Sequence, residues 1–264
     1  MKDDFDIIVR KFPNDDITVN GIFDVHLGAA EHMQKAFTAF TESVLRDPNS
    51  YVILGGDLIN NAIKSSVSNC YEEVMRPREQ KRVITELLKP LADNGRIIAA
   101  VQGNHERRNK DVDNDITYDI MCKLDIEDLY RPNQAYVKLQ FGNQKGDGKT
   151  NPTYRIMVTH GAGGGALTGG IVNKNIRFAV AIDGIDLMMV GHSHDPFTVV
   201  PKKIVFDPHN NRVSFKPFRV ASMGSWLAYG GYAAYKLLTP RSTADEAPQT
   251  VHIKGNRKWL TVET

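Results

Sequence analysis

Apolar and polar positions along this chain fall into short runs of two kinds, and the two kinds alternate. Residues 17–23, "ITVNGIF", carry apolar side chains at 17, 19 and 23 and read as a strand interrupted by Gly21. Residues 29–46 place apolar groups at 30, 33, 37, 40 and 44, the spacing of one helical face, until Pro48 and Asn49 stop it. "YVILGGD" (51–57) is nearly all apolar, as expected of a strand covered on both faces. Residues 78–93 put Val83, Ile84, Leu87, Leu88 and Leu91 on one stripe, closed by Asn94 and Gly95. "RIIAAVQG" (96–103) is a third buried strand, and residues 114–124 form a further helical pattern. "YRIMVTH" (154–160) and "DLMMVGH" (186–192) are the fourth and fifth strands. No good helix is expected to open at "ALTGGIV" (166–172).

Strands alternating with helices imply an α/β layered sheet. Beyond residue 190 the character changes. "FTVVPKKIVF" (197–206), "RVSFKPFRVAS" (212–222), "GYAAYKLL" (231–238) and "TVHIKGNRKWLTV" (250–262) read as strands, with a hairpin turn at "DPHNNR" (207–212). The expectation is one domain over 1–264, with a motif-bearing core at 17–195. The β-rich part, 196–264, completes a second sheet packed on the first. "NQKGDGKTNP" (143–152) and "RSTADEAPQ" (241–249) read as polar loops.

Composition adds limits. The 264 residues are 41% hydrophobic and 24% charged, enough for a sizeable core. A net charge of +2 is too small to predict a polyanionic partner. The two cysteines, Cys70 and Cys122, have no paired spacing. That argues against a disulfide framework or a thiolate zinc site and suits a reducing compartment. The first residues, "MKDDFDIIVRKF", are acidic and lack a signal-peptide core, and no stretch approaches the ~20 apolar residues of a membrane span. A cytoplasmic setting without membrane contact is expected. Oligomeric state is not legible.

The five strands of the alternating part all end in polar or ionisable groups: Asp24 and His26, Asp57, Asn104 and His105, His160, then His192 and His194. In open α/β sheets, ligands bind outside the carboxyl ends of the strands. Imidazoles, carboxylates and one amide without a thiolate make a nitrogen/oxygen ligand field suited to manganese, iron or zinc. Seven ligands exceed the needs of one tetrahedral ion and suit two ions sharing a carboxylate. Singly, each residue has a bland reading: Asp57 as a helix cap, Asn104 as a turn residue. Of eight histidines, however, five fall at these ends. His32, expected within a helix, His209 in a turn and His252 in a strand are read as structural.

"FDVHLG", "GGDLINN", "GNHE", "THG" and "GHSH" resemble, in order, the five motifs of the calcineurin-like metallophosphoesterases, and "MGSW" (223–226) resembles a Gly-Ser segment that follows them. The resemblance implies a four-layer αββα sandwich of two mixed sheets with a two-metal site on its edge. It implies that Asp24, His26 and His194 hold one divalent ion and Asn104, His160 and His192 the other, with Asp57 bridging. Manganese is the first choice; iron, zinc or nickel also suit. A hydroxide trapped between the cations would attack phosphorus, and His105 would protonate the leaving group. His105 alternatively only orients Asn104. Glu106 either orients an imidazole or faces solvent. Arg107 and Arg108 offer planar forks to phosphate, with Arg107 the slightly favoured candidate.

The second motif departs from the protein serine/threonine phosphatases. Asn60 and Asn61 stand where those enzymes keep an aspartate and an arginine, which counts against that substrate and makes both asparagines candidate substrate contacts. The chain is more similar to phosphoesterases of bacteria and their phages, implying a bacterial or phage-infected cell and a nucleotide or nucleic-acid phosphodiester. Arg76, Arg78, Lys81, Arg82, Arg107, Arg108 and Lys110 favour that substrate. The small net charge and the lack of an aromatic platform in the segments carrying these residues disfavour it. The alternatives are a phosphomonoesterase or phosphoprotein phosphatase, and a catalytically silent scaffold of the same fold. "HGAGGGALTGG" (160–170) fits a dinucleotide fingerprint only superficially and reads instead as backbone approaching metal or phosphate, or as a mobile loop.

Overall fold

The structure, a computed structural model, describes residues 4–13, 15–64, 66, 70–108, 115–142, 151–162 and 167–264. Ser65, Asn69, Lys110 and most of the glycine run lie outside the described residues, as does the loop at 143–150.

Two six-stranded mixed sheets stack face to face. The first contains β2 (Ile17–Ile22), β3 (Ser50–Leu54), β4 (Ile97–Val101) and β5 (Tyr130–Arg131) in parallel, with β13 (Thr250–Ile253) and β14 (Leu260–Glu263) added antiparallel beside β2. The second runs β1 (Ile8–Phe12), β6 (Gln134–Phe141), β7 (Thr153–Thr159), β8 (Leu187–Val190), β12 (Arg219–Ser222) and β9 (Phe197–Val199). Alternation along each strand explains the stacking. Val19 and Ile53 of the first sheet meet Ile156, Val158, Leu187 and Met189 of the second in one buried cluster. The opposite faces take helices. Ile22, Val52 and Leu54 pack with Phe37 and Val44 of α1 (Gln34–Arg46), Ile84 and Leu88 of α2 (Pro77–Asp93) and Ile120 of α3 (Ile116–Lys123). Met157, Met188 and Val190 pack with Ala179 of α4 (Thr168–Ala181). The layers are therefore α, β, β, α, as the resemblance implies.

Several expectations need correction. A helix does open at Thr168, and its buried Ile171, Asn175 and Ala179 supply the face that covers the second sheet. Residues 231–238 are not a strand; Gly231–Tyr235 is a short helix, α5. The C-terminal strands do not all join the second sheet: β9 and β12 do, whereas β13 and β14 edge the first. Between β9 and β12, β10 (Lys202–Asp207) and β11 (Arg212–Pro217) pair only with each other, around the expected turn. His32 precedes α1 instead of lying within it, and its Nδ1 lies 2.8 Å from the Val25 carbonyl. Among the described residues no helix is long and apolar enough to cross a membrane.

Candidate metal centre

The predicted groups lie at the strand ends of both sheets, not of one. β2, β3 and β4 deliver Asp24, His26, Asp57, Asn104 and His105; β7 and β8 of the facing sheet deliver His160, His192 and His194. The chain leaving β2 stays zipped to the chain leaving β3. Asp24 N donates to Gly56 O at 3.1 Å, His26 N to Asp57 O at 2.9 Å and Leu27 N to Leu58 O at 3.2 Å. Residues 29–33, which helical spacing had assigned to α1, turn back on this loop and meet the Trp226 segment instead, with His32 N donating to Ala29 O at 3.2 Å and Met33 N to Trp226 O at 2.9 Å, so α1 starts only at Gln34. Asp24, His26, Asp57, His192 and His194 all have positive φ, from 48° to 68°. Side-chain-bearing residues avoid that region, and its recurrence at these candidate ligand positions is strain held by the surrounding fold. Two glycines let the loops close. A Cβ on Gly103 would sit 2.1 Å from Asp57 Oδ1, and one on Gly191 would sit 2.6 Å from Asp24 Oδ2.

Two clusters result. In the first, His194 Nε2 lies 3.4 Å and His26 Nε2 3.8 Å from Asp24 Oδ1, and the two ring nitrogens are 3.1 Å apart. In the second, His160 Nε2 is 3.2 Å from Asp57 Oδ2 and 2.9 Å from Asn104 Oδ1, which His192 Nδ1 also approaches at 2.7 Å. Asp57 touches both sides, since His26 Nε2 lies 3.8 Å from the same Oδ2. The structure thus brings Asp24, His26 and His194 together on one side and Asn104, His160 and His192 on the other, with Asp57 between them.

The electrostatics are those of a cation site. His160 Nδ1 lies 2.9 Å from the Gly55 carbonyl. An N–H there leaves a neutral ring's Nε2 lone pair facing two oxygens, as metal-binding imidazoles are commonly oriented. Burial resists charge on His160, but Asp57 and Asp24 override it and raise its pKa to about 10. Burial and the neighbouring His105 push His26 well below its ordinary value. Burial favours a neutral Asp57, yet His160 and His105 hold its carboxyl well below the usual range. Asp24 Oδ1 is buried without a hydrogen-bond partner. An orphaned carboxylate oxygen between two imidazoles suits a divalent ion and is costly otherwise.

His105 sits beside the shared carboxylate. Its N–H donates to Asp57 Oδ1 at 2.8 Å, and its Nδ1 lies 2.6 Å from the Asn60 carbonyl. Nε2 is met by the Arg108 guanidinium at 2.8 Å. Burial and Arg108 outweigh Asp57 and lower its pKa to about 4. Glu106 neither faces solvent nor touches an imidazole. It is fully buried and accepts the N–H groups of Asp57, Leu58, Ile59 and Gly103 at 2.6–3.2 Å. The preference between the arginines reverses. Arg107 donates to the Pro132 carbonyl, while Arg108 lines the cavity in front of the cluster. Asn61 is outside the cavity lining: it is buried and its amide donates to the His105 carbonyl at 2.7 Å. Asn60 does line the cavity, with its amide donating to Glu73. Arg76, Arg78, Lys81 and Arg82 do not line it; Lys81 pairs with Asp119 and Arg82 with Glu86.

No family profile and no curated protein matches this chain. Among solved structures it is similar to a predicted phosphoesterase from Streptococcus pneumoniae TIGR4, with a TM-score of 0.37, 12% identity, and 94% of this chain and 87% of that one covered. It is also similar to a metallophosphoesterase from Sphaerobacter thermophilus, with a TM-score of 0.38, 15% identity and the same coverage of 94% and 87%. At that degree of likeness neither neighbour speaks for the chemistry of this chain.

The far wall of the cavity was not legible in the sequence. Residues 225–241 fold across the cluster, held by Trp226, whose backbone N–H donates to Asp24 O at 3.0 Å and whose ring packs on Phe37 and Phe40. "MGSW" marks where this wall begins. The strand-like reading of 231–238 hid its course.

Proposed function

We propose that this chain is a metal-dependent phosphoester hydrolase with a dinuclear site, acting as a phosphodiesterase on a nucleotide or nucleic-acid phosphodiester. The carrying observation is the convergence of seven groups from five strand ends into two clusters that share Asp57. Asp24, His26 and His194 would hold one ion and Asn104, His160 and His192 the other, with Asp57 shared between them; the nitrogen/oxygen donors suit Mn2+ first, then Fe, Zn or Ni. Divalent cations bound there would supply Lewis-acid charge to the phosphoryl oxygens and would acidify a water.

The residues do the rest. Asp57 binds the His105 N–H and so fixes the acid's loop to the metal centre. The Asn60 carbonyl orients the His105 ring through Nδ1. Arg108 leaves Nε2 for an incoming phosphate; the ring, neutral at rest with Nδ1 on the Asn60 carbonyl, takes a proton from solvent at Nε2 beside that anion and passes it to the leaving oxygen. The working setting is the cytoplasm of a bacterial or phage-infected cell, in keeping with free thiols at Cys70 and Cys122. One observation favours a monoesterase instead: Arg108 at the cavity suits a phosphate dianion.

Hydrolysis with Mn2+ decides between them. Bis-p-nitrophenyl phosphate should be cleaved faster than p-nitrophenyl phosphate; the reverse order overturns the diesterase reading. His105→Ala should slow esters of poor leaving groups by about 100-fold and nitrophenyl esters far less. Equal losses would remove His105 from the acid role.

A further inference from the structure

The cavity in front of the metal-ligand cluster encloses about 670 Å3, in the range of small-molecule pockets. One side carries the histidines and carboxylates. The other is made by residues 227–239 and has a different chemistry. Leu227, Tyr229, Tyr232, Leu237 and Leu238 line it. Tyr229 and Tyr232 are 49% and 44% exposed, so much of each ring remains accessible. The Tyr229 hydroxyl donates to the Leu238 carbonyl at 3.1 Å, which fixes that ring before any ligand arrives. A fixed aromatic face costs little entropy to use.

Cations are scarce on this side. No Lys or Arg between residues 227 and 239 lines the cavity. Arg241, just beyond, lies 3.5 Å from Asp195 and donates to the Ser193 carbonyl. Arg108 belongs to the opposite side, against His105 and Asn60. A nucleic-acid strand brings a phosphate with every nucleotide and calls for a track of positive charge. One phosphate position facing an aromatic, cation-poor wall fits a single small ester better.

We propose that residues 227–238 form a stacking platform for the flat base of a mononucleotide-sized phosphoester whose phosphate lies at the histidine–carboxylate cluster. This deepens the hydrolase reading and rests on it for turnover, but the binding itself requires no reaction.

The test is calorimetric binding of adenosine 5′-monophosphate and ribose 5-phosphate, which share one phosphate, to the full chain with Mn2+. The nucleotide should bind about tenfold more tightly than the sugar phosphate, the increment of one stacked base. The double variant Tyr229→Ala with Tyr232→Ala should lose about tenfold for the nucleotide and nothing for the sugar phosphate. The double variant Tyr229→Phe with Tyr232→Phe keeps both rings and should retain the preference, which separates stacking from damage to the fold. A ten-nucleotide oligothymidylate should bind no more tightly than thymidine 5′-monophosphate. Equal affinities for the two adenosine-series probes, no binding of either, or losses shared by both would overturn the platform. Much tighter, salt-sensitive binding of the oligonucleotide would overturn it in favour of a strand groove. If the base preference holds and no phosphoester is cleaved, the hydrolase reading fails alone; cleavage without base preference sinks only the platform.

Discussion

Individual residues carry the account through backbone conformation as much as side-chain chemistry. Asp24, His26, Asp57, His192 and His194 each hold a positive φ. Residue types and spacing marked these positions as candidates, but not the scaffold that holds them in that conformation. Glu106 is the main part of that scaffold that the sequence left ambiguous. "GNHE" offers no clue that its carboxylate turns inward, because the four N–H groups it accepts come from Asp57, Leu58, Ile59 and Gly103, and three of them lie nearly 50 positions away. Glu106→Gln keeps the shape but turns an amide NH2 toward those donors. It should cost roughly 1–3 kcal/mol in urea denaturation and weaken metal binding with it. A variant as stable as the parent would show that the carboxylate does not hold the two ligand loops. Arg107 and Arg108 were indistinguishable in a run of charge; only the turn at 106–108 decides which one reaches the cavity.

Elements were legible where one periodicity ruled. α2 was expected at 78–93 and spans Pro77–Asp93, with Pro77 at its first position and Asn94-Gly95 ending it. β3, β4, β7 and β8 were marked by dense apolar runs. β1 and β6 were passed over, although "QAYVKLQF" alternates buried and half-buried positions along its whole length. The late strands divide at Pro201 and Phe218, where Phe218 N donates to Pro201 O at 3.1 Å between the β9–β12 and β10–β11 ladders, which apolar runs alone do not reveal. At the other end of the sandwich, Asp186 ties elements together. It accepts from Arg155 N at 2.8 Å and lies 2.7 Å from Lys258 Nζ, joining the start of β8 to β7 and to the β13–β14 turn. Burial favours the neutral acid, yet bonds from Arg155 and Lys258 hold its pKa below the ordinary value. With a depressed folded-state pKa, the unfolded chain takes up the proton first as pH falls. The stabilisation is therefore full above the unfolded pKa and is lost as pH drops through the folded one. Asp186→Asn should trail the parent by about 1 kcal/mol at pH 7, and the gap should close as pH falls below about 4. A gap independent of pH would place the contribution in packing and not in charge.

At the scale of the molecule, the site belongs to neither sheet alone. The first sheet brings five of the groups and the second brings three, so the cluster exists only because the two apolar faces stack in this register. Motif order foretold which groups converge, and the resemblance foretold the layers. The wall from residue 225 to 241 was not foretold, because its path depends on Trp226 anchoring between α1 and the Asp24 loop. The central claim is two ions sharing one carboxylate, and metal analysis of the protein equilibrated with Mn2+ tests it most directly. The account predicts two ions per chain in the parent, one in Asn104→Ala, and fewer than two in Asp57→Ala. A parent chain that binds no ion, or an Asp57→Ala chain that still binds two, would contradict it.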